Sequence, residues 1–423
     1  MSEAEIGISG YISGRCRGTG GRLKVFPEDF IVEEIPADIQ EDPGGRYTLA
    51  FVRSRNWETN RLVRQLSRAL RISRKRIYFA GTKDKRAITT QAMVFDAPIE
   101  DIMGLRIRDV SIVRAYRVSK PVFLGDLIGN RFEVIIREIE ERAQEGALCT
   151  FETIKSTGLF PNFFGVQRFG SVRPITHIIG KLIVKRDYKK AVETYLGNPS
   201  EIEGEEAYEA RKYFQETGDV KGALKLFPAN LMFERAMLNY LSEHPEDYAG
   251  AISILPDNLA RMFIHAYQSY LFNRMLSKRM EHGFEIEIGD MVMGIERGII
   301  KERELFDVKD HNLERIRKRF REGKAVPTGM IFGSEPVFAK GIQGDIEREI
   351  LDSEDVRPED FIFTDLQFLS SRGGRRALLS PVNDLKISFE PETIRLSFWL
   401  PKGCYATSLL REFMKVDDLK AYG

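Results

Sequence analysis

A short charged loop between two apolar runs is the feature that most restricts how this chain can fold. The segment 79–91 reads Phe-Ala-Gly-Thr-Lys-Asp-Lys-Arg-Ala-Ile-Thr-Thr-Gln, and Asp84 is its only carboxylate. The flanking runs 78–80 and 91–95 have the composition of short buried strands. The cationic neighbours of the carboxylate are Lys83, Lys85 and Arg86. Nearby positive charge keeps a carboxylate ionised, so Asp84 is a candidate nucleophile or charge stabiliser. A solvated polar turn is the alternative.

Positive charge is concentrated around this segment, although the chain as a whole is almost neutral. The 423 residues carry a net charge of +1, with 43% hydrophobic and 30% charged residues. This composition is typical of a globular enzyme with two or three domains. Residues 53–86, however, hold twelve Lys or Arg against two acids, Glu58 and Asp84. The asymmetry predicts a basic surface that faces an anionic partner.

The residues just before the loop predict an amphipathic helix with a basic face. Thr59 or Asn60 is suited to the N-cap position. The apolar stripe consists of Leu62, Val63, Leu66, Ala69 and Leu70. Arginines recur on the opposite side at three- and four-residue steps, at Arg61, Arg64, Arg68 and Arg71. Because these charges repel one another without a polyanion, we expect Arg61, Arg64 and Arg68 to contact phosphates. An ordinary solvated helix face has the same pattern.

Several classes of site and location are disfavoured by what the sequence lacks. The cysteines, at 16, 149 and 404, are scattered without CxxC spacing, which argues against a disulfide framework or a zinc site and favours the reducing cytoplasm. No two of the five histidines have metal-ligand spacing. The glycine-rich segment 7–21 completes no phosphate-binding motif and predicts a flexible loop. We find no signal peptide and no apolar run of about 18 residues. We therefore expect a cytoplasmic protein with no membrane span, metal or cofactor.

The remaining pattern predicts an α+β protein in which a mainly helical part interrupts a strand-rich part. Strands are predicted at 22–26, 30–35, 47–52, 131–137, 385–389 and 394–400. Helices are predicted at 138–151, 257–280, 315–321 and 403–416. The composition changes character near residue 170 and returns to its first character near residue 370.

A lone carboxylate on a basic loop limits the chemistry that a nucleic acid could undergo here. Hydrolytic glycosidases use two carboxylates, and phosphoryl transfer needs a metal cluster. Methyl transfer would need a donor-binding loop, which is not recognisable in the sequence. An isomerisation that breaks a glycosidic bond and remakes it in place needs one well-held acid, because no water has to be activated.

Six sequence blocks resemble motifs of the TruD family of tRNA pseudouridine synthases, in the family's order. The segment 79–91 resembles the catalytic motif of the family, and 24–34 resembles its N-terminal motif. The other four blocks are 129–134, 162–170, 266–273 and 400–407. The six blocks together span nearly the whole chain. The departures at Val166 and Cys404 fall at variable positions.

The resemblance implies a fold and a domain organisation. We expect a pseudouridine synthase core with a mixed, mostly antiparallel sheet and flanking helices, interrupted by an inserted α/β TRUD domain. The first part of the catalytic core would comprise 1–169, the inserted domain 170–369, and the last part of the core 370–423.

The resemblance also implies a role for each matching residue. Asp84 is expected to attack the ribose C1′ of the target uridine or to assist the loss of uracil. Lys24 is expected beside this carboxylate, Asn130 at the uracil edge, and Phe132 stacked on the extruded base. Arg168 would contact phosphate or order its loop. Further candidates for phosphate contact are Arg375 and Arg376. A solvated lysine, a loop-fixing asparagine and a core phenylalanine are the structural alternatives.

The expected function is the isomerisation of uridine to pseudouridine in tRNA, by resemblance at uridine 13. No cofactor and no obligatory protein partner is expected. One alternative is the same chemistry on another RNA. A second is a non-catalytic RNA-binding or chaperone protein in which Asp84 is a plain loop residue. A third, a DNA-binding module, lacks any helix-turn-helix or zinc pattern.

Overall fold

The structure, a computed structural model, describes residues 2–83, 85–170 and 172–422 of the chain. Asp84 therefore lies outside the described residues. The chain forms two compact units. The first, the helical unit, consists of Met1–Tyr11, Asn162–Gly294 and Glu302–Leu379. The second, the sheet unit, consists of Ile12–Pro161, Ile295–Lys301 and Ser380–Gly423. The domain boundaries expected at 169/170 and 369/370 stay a prediction.

The sheet unit is built around one large sheet. Its strands are β1 (Gly20–Arg22), β2 (Phe30–Pro36), β3 (Tyr47–Arg55), β4 (Ile77–Phe79), β5 (Ile88–Phe95), β6 (Val110–Val118), β7 (Leu127–Ile139), β14 (Asn383–Glu390) and β15 (Thr393–Pro401). Within the described residues the main path is β14-β15-β7-β2-β5-β3-β6, with β1 on β7 and β4 on β5. The pair β2–β5 is parallel, whereas β2–β7, β7–β15 and β3–β5 are antiparallel. The sheet is thus mixed and mostly antiparallel, as predicted.

Helices flank the sheet, and the predicted basic helix is among them. The helices of this unit are α1 (Thr59–Leu70), α2 (Ile99–Met103), α3 (Ala143–Thr157) and α13 (Ala406–Met414). Helix α1 buries Leu62, Val63 and Leu66 against residues of β3 and β5. Its N-cap is not Thr59 or Asn60 but Glu58, whose carboxylate accepts from the backbone N–H groups of residues 60 and 61. A carboxylate at this end also complements the helix dipole.

The helical unit contains one long helix. Its helices are α4 (Thr176–Val184), α5 (Tyr188–Leu196), α6 (Glu205–Thr217), α7 (Val220–Leu226), α8 (Met232–Glu243), α9 (Tyr248–Ser253), α10 (Asp257–His282), α11 (Leu313–Arg321) and α12 (Gly341–Ser353). The long helix, α10, packs against α4, α9 and α12 and buries Phe263, Tyr267 and Leu271 in the core. A small sheet has the order β10-β9-β11-β12. Its strands are β9 (Met291–Glu296), β10 (Ile299–Asp307), β11 (Ala325–Ile331) and β12 (Gly374–Ala377). Two further short strands, β8 (Leu159–Pro161) and β13 (Leu379–Pro381), pair with each other. No helix of the described ranges is long and apolar enough to cross a membrane.

Two predicted element boundaries near the N-terminal half are wrong. The strand expected at 22–26 ends at Arg22, because Lys24 adopts a left-handed backbone conformation with φ 55°. The helix expected at 138–151 begins only at Ala143, because β7 continues to Ile139 and Arg142 has φ 65°. Lys24 and Arg142 adopt a backbone conformation that is uncommon for residues other than glycine, and nothing in their side chains predicts it.

The expectation of unpaired cysteines and a flexible N-terminal loop is also wrong. Cys16 and Cys149 form a disulfide across 133 residues of sequence. The cause is a close approach of the N-terminal segment to α3, since a Cβ added at Gly146 would lie 2.3 Å from the Arg17 carbonyl oxygen. Within the same segment, the Ser13 hydroxyl donates to the Glu412 carboxylate at 2.7 Å. Cys404 is free.

Candidate active site

The segment 79–91, from here the Asp84 loop, is fastened at the residues that precede its carboxylate and at its last residue, Gln91. The backbone N–H of Lys83 donates to the Thr59 Oγ1 at 2.8 Å, which joins the loop to the first residue of α1. The side-chain amide of Gln91 donates to the Gly81 carbonyl. The carbonyl of Ala80 accepts from the backbone N–H of Gly125 at 2.8 Å. Helix, strand and turn thus hold the residues that flank Asp84.

A buried ion pair is the strongest of these fastenings. The Lys83 ammonium lies 2.6 Å from the Glu34 Oε2, and the two side chains are 8% and 0% exposed. Burial raises the pKa of Glu34, and the neighbouring Lys83 charge opposes this shift. Burying either charge alone would cost several kcal/mol, so each requires the other. The pair therefore fixes where the residue next to Asp84 lies.

The register of β2 and β7 brings Asn130 and Phe132 to the same face as Glu34. Asn130 is opposite Glu34, and Phe132 is opposite Val32. Because side chains directly opposite each other in an antiparallel pair share a face about 5 Å apart, Asn130 lies beside the ion pair. The Asn130 Oδ1 and the Glu34 Oε1 are both buried, and neither accepts a hydrogen bond from the described residues. On β2 and β7 this polar corner adjoins the apolar residues Phe30, Val32 and Phe132.

Aromatic packing connects Phe132 to Lys24. Phe132 is 7% exposed, stacks on Phe398 with a centroid distance of 5.3 Å, and meets Phe30 edge to face at 6.0 Å. The Lys24 ammonium lies 4.6 Å from the centroid of the same Phe30 ring. Lys24 itself is 6% exposed, so it is not the solvated strand lysine that the sequence allowed. Its contact with the carboxylate stays a prediction.

The arginines of α1 point to solvent, and the acids of the described residues do not neutralise them. Arg61, Arg64 and Arg68 are all exposed, and none forms an ion pair with a described carboxylate. Arg61 lies over the Trp57 ring at 5.3 Å. Since α1 begins at the residue that accepts from the Asp84 loop, its basic face starts beside that loop.

The other arginine candidates belong to the helical unit. Arg168 lies in the turn Val166–Arg168 with its guanidinium 5.4 Å from the Phe164 ring. Arg375 is not available to phosphate, because it forms a buried ion pair with Glu347 at 2.8 Å, with side chains 3% and 0% exposed. Arg376 packs over Phe164 at 4.2 Å. Within the described ranges, His, Cys, Asp and Glu side chains form no cluster suited to a metal ion.

Glu34 was missed by the reading of the sequence, although a signal for it exists. The strand segment 30–35 contains two adjacent glutamates, Glu33 and Glu34. Since successive side chains of a strand alternate between faces, one of the two must point toward the face of Phe30 and Val32. A glutamate in that position needs a cationic partner, and the Asp84 loop supplies it.

Comparisons with known proteins identify the family of this chain. A family model described as tRNA pseudouridine synthase D (TruD) matches residues 5–413. A protein named probable tRNA pseudouridine synthase D from Methanosarcina acetivorans is 42% identical over 433 residues, which cover 99% of this chain and 98% of that protein. The protein of the same name from Thermococcus sibiricus is 39% identical over 417 residues, which cover 96% of this chain and 97% of that protein.

A crystal structure of the Methanosarcina mazei protein assigned to tRNA pseudouridine synthase D has the same fold. It superposes with a TM-score of 0.83 at 39% identity and covers 99% of this chain and 98% of that one. These similarities define the class of enzyme, a tRNA pseudouridine synthase, which is an isomerase. Within that class the chain belongs to the TruD family. The predicted family and the predicted α+β fold class are therefore confirmed.

The buried ion pair predicts a difference between two neighbouring glutamates. Glu34→Gln leaves the Lys83 ammonium buried without a negative partner, so the free energy of unfolding should fall by about 3 kcal/mol. Glu33→Gln, on the exposed face of the same strand, should change it by less than about 0.5 kcal/mol. Urea unfolding of both variants measures the difference. Equal effects of the two substitutions would contradict the importance of the ion pair.

Proposed function

We propose that this enzyme isomerises uridine 13 of tRNA to pseudouridine, with Asp84 as the catalytic carboxylate. In this reaction the bond between N1 of uracil and C1′ of ribose breaks, the retained base rotates, and a bond from C5 to C1′ forms. The hydrogen on C5 leaves as a proton, and N1 regains one. Asp84 acts either by attack on C1′ or by assisting the departure of uracil.

The observation that carries the proposal is the position of Glu34 between two family motifs. Glu34 is paired with Lys83, the residue before Asp84, and is opposite Asn130 in the neighbouring strand. One buried side chain thereby ties the Asp84 loop to β2, the strand that pairs with the strand of Asn130 and Phe132. Fixing of the residue next to Asp84 supports a catalytic role for this carboxylate over a solvated turn.

Each of the other candidate residues has a proposed part in this reaction. Lys24 keeps Asp84 ionised or stabilises the departing uracil. Asn130 contacts the polar edge of uracil, and Phe132 stacks on the base after it leaves the helix. The unstacking of the uridine costs a few kcal/mol, which these contacts offset.

Electrostatic contacts hold the RNA around this site in our proposal. Arg61, Arg64 and Arg68 contact phosphates, because their charges are exposed and not neutralised by the described acids. Arg168, in the helical unit, contacts phosphate or orders its own loop. We propose further that the enzyme needs no cofactor and no protein partner, and that it acts in the cytoplasm. The Cys16–Cys149 disulfide removes the cysteine argument for this location, which now depends on the substrate alone.

Mapping of pseudouridine tests the reaction and its position together. We expect wild-type protein to convert uridine 13 of a tRNA transcript, and Asp84→Asn to convert none while still binding tRNA. A transcript with cytidine at position 13 is the matched control and should gain no pseudouridine. Pseudouridine at other positions alone, or in other RNAs alone, would reject uridine 13. Unchanged conversion by Asp84→Asn would reject the carboxylate.

The salt dependence of tRNA binding tests the arginine face. Replacement of Arg61, Arg64 and Arg68 together by glutamine should reduce the slope of log K against log salt by about 0.9 for each phosphate that is no longer neutralised. Fluorescence anisotropy in the Asp84→Asn background measures binding without turnover. Lys155→Gln, an exposed cation on α3, is the control and should keep the full slope. A triple variant with an unchanged slope would show that these arginines do not contact phosphate.

A further inference from the structure

Two adjacent apolar side chains are exposed on a turn beside the Asp84 loop. Phe123 is 62% exposed and Leu124 is 73% exposed, whereas the preceding Val122 is 5% exposed and packs in the sheet unit. Single exposed apolar side chains are common on protein surfaces. Here two large ones are adjacent, next to the site of a proposed reaction on RNA.

The turn is held in place rather than loosely attached. The Phe123 backbone N–H donates to the Asp126 carboxylate at 2.8 Å, and the Asp126 backbone N–H donates back to the Phe123 carbonyl at 3.0 Å. The Gly125 carbonyl accepts from the Lys402 ammonium at 2.8 Å. Phe123 also meets Tyr78 edge to face at 6.3 Å. Because the turn is already ordered, a partner that binds these two side chains would lose little free energy to ordering of the backbone.

Chain connectivity places the turn at the edge of the candidate site. The Gly125 backbone N–H donates to the Ala80 carbonyl in the Asp84 loop at 2.8 Å. Two residues separate Ala80 from Lys83, and the three Cα–Cα steps between them span at most about 11 Å. On its other side the turn leads directly into β7, which carries Asn130.

The charges around the turn favour a nucleic acid as the partner. Lys120 is an exposed cation three residues before Phe123, and Lys402 is an exposed cation that donates to the Gly125 carbonyl. The exposed cations Lys85 and Arg86 follow in the segment whose Ala80 carbonyl accepts from Gly125. The acid nearest in the sequence, Asp126, accepts a hydrogen bond from the Phe123 backbone N–H. An exposed ring with cations around it is the arrangement that binds unpaired bases by stacking. By contrast, one face of the Phe26 ring already has a cationic neighbour, since the Arg137 guanidinium lies 5.2 Å from the ring centroid.

We propose that Phe123 and Leu124 form a stacking surface for a base of the tRNA that adjoins the target uridine. When that uridine leaves the helix, its neighbour loses a stacking partner, and apolar side chains inserted between bases replace it. The surface would hold the opened RNA while the uridine occupies the site. This inference rests on the proposed function, since it needs an extruded uridine.

The test uses full-length protein and a tRNA that carries 2-aminopurine next to the target uridine. The variants are Phe123→Ala, Leu124→Ala, their combination and Phe123→Tyr, which keeps the ring. Met103→Ala is the matched control, because Met103 is an apolar residue of the same unit that is 48% exposed. Two quantities are measured: the fluorescence change on binding, in the Asp84→Asn background, and the single-turnover rate of pseudouridine formation on unlabelled tRNA.

We expect the combined variant to lose most of the fluorescence change and to react roughly 5- to 150-fold more slowly, with the salt dependence of binding unchanged. Leu124→Ala, at the most exposed position, should show part of this loss without a change in unfolding temperature. Phe123→Tyr and Met103→Ala should behave as wild type. This pattern requires a stacking role and does not follow from a general loss of stability.

Three other results would overturn the inference or its basis. A combined variant with the wild-type rate and fluorescence change would reject the stacking surface and leave the proposed function standing. Self-association of the wild type that is absent from the variant in sedimentation, without a kinetic effect, would assign the surface to a second copy of the chain. Absence of pseudouridine formation by the wild type on any tRNA would reject the proposed function itself.

Discussion

Two opposite charges buried together, Glu34 and Lys83, are the interaction on which the candidate site depends. Removal of a carboxylate and an ammonium from water is costly, and the attraction between them offsets this cost only in a fixed geometry. At 2.6 Å the geometry is that of a charge-assisted hydrogen bond. Because Glu34 is on a central strand and Lys83 precedes Asp84, the pair transfers the rigidity of the sheet to the loop.

The topology of the sheet explains how distant motifs meet at this pair. Strand β2 is parallel to β5, which follows the Asp84 loop, and antiparallel to β7, which carries Asn130 and Phe132. The N-terminal motif therefore lies between two other motifs of the sheet unit, 79–91 and 129–134. Helix α1 adds the third constraint, because Thr59 accepts from the Lys83 backbone. One strand, one helix and one turn thus fix a loop that would otherwise be free to move.

The sequence pattern predicted those helices and strands whose formation depends mainly on neighbouring residues. The amphipathic pattern of α1 and the strands at 30–35 and 394–400 were predicted correctly, because such patterns report which residues are buried. Ala69 is an exception, since it is exposed at the end of the helix. The family resemblance predicted the mixed, mostly antiparallel sheet and the order of the motifs. It also supplied roles for Asp84, Lys24, Asn130 and Phe132, and these roles remain proposals.

Features that depend on tertiary contacts could not be read from the sequence. The Cys16–Cys149 bond joins residues 133 positions apart, and only the approach of the N-terminal segment to α3 makes it feasible. Arg375 is of a residue type that commonly binds phosphate, but it forms a buried ion pair with Glu347 on α12. The partner of Glu34 is 49 residues away, so the alternation of the strand indicates that a partner is needed without showing which one.

A double-mutant cycle on C5 tritium release would test most directly whether the ion pair positions the Asp84 loop. The rate is measured in single turnover on tRNA with uridine tritiated at C5, for wild type, Glu34→Gln, Lys83→Gln and the double variant. Our account predicts slow release by each single variant and a double variant that is no slower than either, because the pair acts as one unit. Independent, multiplicative effects of the two substitutions, or wild-type rates in the single variants, would contradict it.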